Sequence, residues 1–218
     1  MAERAARRPR PRVLPLAVAA AVLAAGAGGG LWLWQPWHTV EVPASGCWSV
    51  LGQHEIRTLV GEDGKAADTT VGTLANTRSN TGCGISWLSG GKRRTALQVD
   101  VQERDEKFRE AKTRTEAGGS PQTRPVPLDF GAGAQGWLFH DGTTQLLFRC
   151  EDPADPTSGF VYRDLIVSGD ATIAGAPRAD VYRVRIGVAL RTAREIVRQQ
   201  SCANAPQLAA QTPPVPPI

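Results

Sequence analysis

The fold is decided by one stretch, from Gly84 to Arg104, with the sequence GISWLSGGKRRTALQVDVQER. Gly84–Leu88 predicts a strand, Gly90-Gly91 predicts a turn, and Arg93–Arg104 predicts the partner strand. Within the partner strand, apolar residues alternate with polar ones from Leu97 to Gln102. A period of two turns one side of a strand toward a core and the other toward water. The stretch therefore predicts an antiparallel hairpin in a sheet that is buried on one face.

Further strands are predicted on both sides of this hairpin. Gly136–His140 and Thr144–Cys150 predict two short strands, and Asp141-Gly142 between them is a strong hairpin signal because glycine accepts a positive φ. Gly159–Val167 predicts another strand. Upstream, Glu62–Thr81 is polar and rich in Gly, Asn and Thr, so we expect a loop there with room for one edge strand.

Helical periodicity is clearest near the C-terminus. Asp180–Gln200 has apolar residues at helical spacing, and Asp180 is suited to cap the helix. Shorter helices are predicted at Gln53–Val60 and Asp105–Glu116. Residues 47–203 are therefore predicted to form an α+β domain, with a mostly antiparallel sheet packed by a long C-terminal helix and shorter helices.

The N-terminal segment predicts a membrane anchor. Residues 1–12 form a basic tail with five arginines, and no charged residue lies between Arg12 and Glu41. A bilayer core is crossed by about 20 helical residues, and flanking basic residues favour the cytoplasmic side. Residues 13–37 are thus predicted to be one transmembrane helix, a signal anchor with a cytoplasmic N-terminus. Residues 38–46 would link it to the extracytoplasmic domain.

Three other interpretations of the N-terminus stay open. Ala25-Gly26-Ala27 resembles the cleavage site of a secretory signal, and cleavage there would release a secreted protein. Arg7-Arg8 allows twin-arginine export, although the rest of that signal is missing. Ala44–Cys47 resembles a lipobox but is separated from the apolar run by a polar, Pro-containing segment.

Charge excludes a nucleic-acid partner. The chain of 218 residues has a formal net charge of +4. Residues 1–37 hold five of the 25 basic and one of the 21 acidic residues, so the remainder carries 20 of each. The excess of basic residues is therefore a topology signal and not a nucleic-acid footprint.

Four cysteines, Cys47, Cys83, Cys150 and Cys202, lie in the part that we expect to be exported. Disulfides persist outside the cytoplasm, and no Cys or His spacing suits a zinc site. Two disulfides can be formed in three ways. We favour Cys47–Cys83 and Cys150–Cys202 because each pair joins elements within one half of the chain.

Two motifs resemble a known family. Cys47 is followed by Val50-Leu51, Glu55-Ile56 and Leu59-Val60-Gly61, and the later motif Cys83–Trp87 leads into the alternating strand. Residues 47–102 resemble a small exported domain of unknown function that is widespread in actinobacterial lipoproteins. The resemblance implies a cell-envelope α+β domain and no assigned chemistry. The chain departs from it in having an anchor in place of a credible lipobox, and a second cysteine pair.

No catalytic motif stands out, and we expect no cofactor, metal or catalytic residue. His54 and His140 have no evident catalytic partner, although His54 adjoins Glu55 and His140 adjoins Asp141. The acidic residues between Asp100 and Glu110 match no calcium loop and alternate with basic ones. Hydrolase motifs and phosphate-binding loops are missing from the sequence.

Two tryptophans and the C-terminal tail are the remaining candidates for binding. Trp48 and Trp87, each close to a cysteine, are expected to pack around the first disulfide and could form an aromatic ligand groove. Residues 204–218 are rich in proline, so we expect a disordered, extended tail.

The sequence thus favours a non-enzymatic binding or interaction module of the bacterial cell envelope, held at the cell membrane by its N-terminal helix. The expected partner is an envelope protein, a cell-wall polymer or an apolar ligand. An alternative is a carrier of a small apolar molecule or lipid, held between sheet and helix, and a third is an envelope hydrolase.

Overall fold

The computed structural model describes residues 40–78, 80–118, 124–155 and 157–217. The predicted basic tail at 1–12 and anchor at 13–37 lie outside these residues. Among the described residues, no helix combines the length and the apolar character needed to cross a membrane.

Within these residues the chain forms ten strands and three helices. The strands are β1 (Val40–Glu41), β2 (Ser45–Gly46), β3 (Leu51–Gly52), β4 (Gly64–Val71), β5 (Thr81–Ser89), β6 (Lys92–Arg104), β7 (Val126–Leu128), β8 (Ala134–Leu138), β9 (Thr144–Arg149) and β10 (Tyr162–Ser168). The helices are α1 (Gln53–Leu59), α2 (Glu106–Gly118) and α3 (Arg178–Gln200).

Eight strands form one sheet in the order β1-β4-β5-β6-β10-β9-β8-β7, and β2 pairs with β3 separately. Neighbours in the large sheet are antiparallel, except that β1 runs parallel to β4. The prediction of an α+β domain with a mostly antiparallel sheet and a long C-terminal helix is confirmed.

The predicted central hairpin is present and longer than expected. Thr81 pairs with Val101 at one end and Ser89 pairs with Lys92 at the other, with a register shift between Ile85 and Ser86. The expected alternation holds because residues 97, 99 and 101 of β6 are buried, whereas their polar neighbours are more exposed.

Helix α3 covers one face of the sheet. Its buried residues include Ile186, Ala189, Ala193 and Ile196, which belong to the main hydrophobic core. The helix begins at Arg178, directly after a proline, so the predicted cap Asp180 instead lies in the first turn, where it pairs with Arg183. A carboxylate in the first turn still favours the helix through its dipole.

Both predicted disulfides are present. Cys47 bonds Cys83 across a Cα–Cα distance of 5.2 Å, and Cys150 bonds Cys202 across 4.9 Å. The first joins the segment before α1 to β5, and the second joins the end of β9 to the segment after α3. Of the three connectivities, the structure has the one that we favoured.

The structure differs from expectation in the connecting segments. The predicted loop at Glu62–Thr81, in which we expected room for one edge strand, contains the eight-residue strand β4. The predicted linker at 38–46 contributes β1 and β2. Strand β4 has mainly small and polar residues, which carry little strand signal, and its pairing with β5 provides the structure that local propensity lacks.

The C-terminal tail also differs, because residues 204–217 pack against the domain instead of extending freely. The Ala209 amide donates to the Phe130 carbonyl at 2.6 Å, and Leu208 and Val215 contact the main core. Gly131 permits this approach: at φ +102° its added Cβ would lie 2.4 Å from the Gln207 carbonyl oxygen. The few apolar residues of the tail therefore cover part of the main hydrophobic core.

Replacing both cysteines of a disulfide with alanine should lower the free energy of unfolding by about 2–4 kcal/mol, because the unfolded chain gains freedom. The paired cysteines are 36 and 52 positions apart in the sequence, so the losses should be similar. Urea unfolding of residues 39–218 under oxidising conditions measures this for each double variant. An unchanged urea midpoint would contradict a structural role for that pair.

Candidate binding groove

A cleft of about 560 Å³ lies at the end of the sheet where β5 begins and β6 ends. We call this end the groove end and the cleft the Phe160 groove. Its walls come from the β4–β5 connection, the last residues of β6 and the β9–β10 connection. The lining residues are Thr77, Arg78, Asn80, Val101, Gln102, Glu103, Asp155, Ser158 and Phe160.

Phe160 is the most exposed large apolar side chain in the described part of the chain, at 56%. Its backbone is held in place although its ring is open to solvent. The Phe160 amide donates to Ser158 Oγ at 3.3 Å, and its carbonyl accepts a hydrogen bond from Arg163 Nη1 at 3.0 Å. A solvent-exposed ring on an ordered backbone is suited to contact a partner with little loss of conformational entropy.

Arg163, which donates to the Phe160 carbonyl, is buried, with 2% of its surface exposed, and we call Arg163 and its polar partners the base. Its Nε donates to Gln200 Oε1 at 3.0 Å, and its Nη2 lies 3.5 Å from Glu103 Oε1. Burial lowers the pKa of the Arg163 guanidinium, and the nearby Glu103 carboxylate opposes that shift. Because arginine stays charged in proteins, this cation depends on the oxygen atoms around it.

Gln200, the last residue of α3, connects this base to the other wall. Its Nε2 donates to the Leu74 carbonyl at 2.8 Å and to Thr77 Oγ1 at 3.1 Å. Thr77 Oγ1 in turn donates to Glu103 Oε1 at 3.0 Å. The network crosses from helix to loop to strand, close to the Cys150–Cys202 disulfide. Connected polar networks of this kind rigidify their surroundings.

The rim is held by a surface ion-pair cluster. Arg78 Nη2 lies 3.0 Å from carboxylate oxygens of both Asp152 and Asp155. A second cleft of about 370 Å³ shares Thr77, Arg78 and Glu103 with the groove. Exposed pairs contribute little stability, so the cluster matters mainly for shaping the rim.

The predicted Trp48–Trp87 groove has its two residues at opposite ends of β4. Trp48 Nε1 donates to the Gly72 carbonyl at 3.2 Å, beyond the last residue of β4. Trp87 is 3% exposed and lies against Gly64, the first residue of that strand. The structure therefore does not bring the two indoles together.

The first disulfide lies beside the Asp68 carboxylate. Asp68 Oδ1 accepts from the Cys47 amide at 2.9 Å, and the three potential ligand atoms of Cys47, Asp68 and Cys83 lie within 4.8 Å. This spacing could hold a metal ion if the thiols were free. In the structure the two sulfurs are bonded to each other, so the carboxylate instead fixes the backbone at Cys47.

His54 lines a cleft of about 600 Å³ between α1 and α3, together with Glu55 and Asp180. Both carboxylates bind arginines: Glu55 lies 2.6 Å from Arg191, and Asp180 pairs with Arg183. A general base would need a carboxylate or substrate partner placed against its ring. The cleft therefore has acidic and basic groups without a histidine–carboxylate pair.

His140 is exposed beside the β8–β9 turn and does not meet His54. Its neighbour Asp141 has a turn role, because Oδ1 accepts from the Thr143 amide at 2.8 Å. This agrees with the geometry that an Asp-Gly turn requires.

The acidic residues between 100 and 110 serve different parts of the fold. Asp105 caps α2 by accepting from the Phe108 amide at 2.8 Å, and Glu103 belongs to the groove network. Glu106 lies beside Tyr162 and Arg109, and hydrogen bonds from these two side chains lower the pKa of Glu106, with Tyr162 the larger cause. These carboxylates therefore have separate partners and do not act as one cluster.

The sequence did not predict the groove. Comparison of the chain with known proteins does not identify a function for it either. No protein-family model, curated protein or solved structure matches it. The resemblance of residues 47–102 to the actinobacterial exported domain stays a prediction.

Arg163→Ala should lower the free energy of unfolding by about 3–5 kcal/mol, because it leaves Glu103 and Gln200 without their buried partner. Arg163→Lys should lower the free energy of unfolding by less, because it keeps the charge. It should still lower it, because lysine lacks the multiple donors of the guanidinium. Urea unfolding compares them with Arg57→Ala, a change at an exposed site on α1 that should stay within about 0.5 kcal/mol of wild type. Equal stability of Arg163→Ala and Arg57→Ala would contradict the network.

Proposed function

We propose that this protein is a membrane-anchored extracytoplasmic binding module of the bacterial cell envelope, non-enzymatic, whose Phe160 groove binds cell-wall polymer. The observation that carries the proposal is an exposed aromatic ring on an ordered polar base. Clefts of roughly 300–1,000 Å³ with a few converging polar groups are typical ligand sites, and the Phe160 groove falls in that range.

The chemistry of the groove favours a neutral, hydroxyl-rich ligand. A sugar ring has an apolar C–H face, which can stack on the Phe160 ring, and hydroxyl groups around its rim. The amides of Asn80 and Gln102 and the hydroxyl of Ser158 offer both donors and acceptors to such hydroxyls. The nearby charges are already paired within the rim and the base, so they favour no strongly charged ligand.

The position of the groove in the domain supports the same function. Strand β1 pairs with the start of β4, at the opposite end of the sheet from the groove. Strand β6 has 13 residues and is therefore roughly 40 Å long. A chain anchored through residues 13–37 would thus enter the domain at the end of the sheet that is opposite the groove. The two disulfides are compatible with an extracytoplasmic location.

The carrier hypothesis has one observation in its favour. The cleft between α1 and α3 has apolar lining from Ala176, Val184 and Gly187, and a volume of about 600 Å³. The space between sheet and α3, where we expected an apolar ligand, is instead filled by fully buried side chains such as Leu165 and Ile186. A carrier would therefore have to use the interhelical cleft.

Phe160→Ala should weaken binding of residues 39–218 to purified cell-wall polysaccharide about tenfold to thirtyfold, as for a central aromatic contact. The measurement is isothermal titration calorimetry against soluble cell-wall fragments. The fold should persist because the ring is exposed. Leu88→Ala removes another exposed apolar side chain at the opposite end of the sheet and should leave the affinity unchanged.

Three results would count against this function. Wild type could fail to bind the polysaccharide, or Phe160→Ala and Leu88→Ala could bind equally. A small apolar molecule could also appear in native mass spectra and leave on denaturation, which would favour the carrier.

A further inference from the structure

The tip of the β5–β6 hairpin projects from the end of the sheet opposite the groove. Gly90 and Gly91 have φ values of +54° and +73°, and a Cβ added to either would meet no atom within 4 Å. These glycines form a turn that glycine favours, and open space surrounds it. We call the segment from Leu88 to Arg93 the hairpin tip.

Basic and apolar side chains lie side by side at the hairpin tip. Leu88 pairs with Lys65 on one side and with Arg93 on the other, so these three side chains share one face of the sheet. Leu88 is 41% exposed and Arg93 is exposed as well, and the exposed Lys92 lies beside them on the other face of the same tip. A row of this kind suits a membrane interface, where an aliphatic group enters the headgroup region and cations meet phosphate.

Two of the basic residues near the hairpin tip lie outside the ion pairs of the described residues. Lys65 pairs with Glu41 at 3.0 Å, and Arg94 pairs with Asp170. Glu62 and Asp63 also lie at this end, in a cleft with Lys92 and Arg94. Among the described residues, Lys92 and Arg93 have no ion-pair partner within 4.0 Å. Their attraction to an anionic surface is therefore not cancelled by a direct contact.

Chain connectivity indicates what this end faces. Val40 pairs with Gly64, and Gly64 adjoins Lys65 at the same end of the sheet as the hairpin tip. Three steps of chain separate Val40 from Trp37, the last residue of the proposed anchor, and they can span at most about 11 Å. An anchor that ends at the membrane surface would therefore bring the hairpin tip within reach of the headgroups.

We infer that the hairpin tip binds the phosphates of anionic phospholipids, with Lys92 and Arg93 as the contacting cations and Leu88 entering the interface. The inference rests on the membrane-anchored function proposed above. Each basic residue near an anionic surface strengthens the attraction about fivefold. The contact would orient the domain upright, with the Phe160 groove directed away from the bilayer.

Hydrogen exchange of the full chain in lipid nanodiscs tests this inference. One nanodisc contains phosphatidylcholine alone, and the other contains phosphatidylcholine with phosphatidylglycerol. Amides of the hairpin tip should exchange at least about fivefold more slowly with phosphatidylglycerol, and added salt should reverse the effect. Lys92→Glu/Arg93→Glu should abolish the difference. The matched control Lys107→Glu/Arg114→Glu changes two exposed cations on α2, which begins beyond the groove end of β6, and should retain it.

The outcomes separate this inference from the function on which it rests. If the chain does not stay with either nanodisc, the anchored function and the inference both fail. If it stays but the tip exchanges equally in both lipids, only the inference fails. Slower exchange that persists in Lys92→Glu/Arg93→Glu would overturn the assignment to these cations. Unchanged exchange in groove-end peptides checks that the variants are folded.

Discussion

Strand β6 is the element on which the sheet depends, because it pairs along most of its length with both β5 and β10. Its alternation directs the apolar side chains of the strand to the face that meets α3 and its own polar side chains to the other face. Residues 97, 99 and 101 enter the main core together with residues from both neighbouring strands. A one-residue slip would reverse this arrangement, so the pairing register is strongly specified. The same strand carries Glu103 at its end, which links the core to the groove.

The groove owes its order to a buried positive charge. Arg163 cannot be neutralised by losing a proton, so its surroundings must supply acceptors in fixed places. Glu103 from β6, Gln200 from α3 and the Phe160 carbonyl do so. These contacts hold the backbone under an exposed ring, and a site that is ordered before binding loses less entropy on binding. A charge that is costly to bury is therefore used to preorganise the surface above it.

Sequence patterns predicted the parts of the fold whose signals are local. The alternation after Leu97, the helical spacing in α3 and the even number of cysteines all fall in this group. Strand β4 was anticipated only as room for one edge strand, without bounds, because its short polar residues are stabilised by pairing with β5 rather than by propensity. Phe160 and Arg163 were missed for a related reason. Both lie within the predicted strand Gly159–Val167, where phenylalanine suggests core and arginine suggests surface, and the fold reverses both expectations. The two tryptophans suggested a groove through their cysteine neighbours, yet the length of β4 separates them.

The Cys47–Cys83 disulfide has a consequence for mechanical load. A domain held at Val40 and pulled at the groove would be stretched along its strands. The short β1–β4 pairing would give way first, since it involves two residue pairs. Tension would then pass through the disulfide directly into β5, which is paired with β6 over nine residue pairs. The 36-residue span that includes α1 and β4 would lie outside this load path. The covalent bond would thus transfer force applied at Val40 to the central hairpin, where the strands resist it in shear.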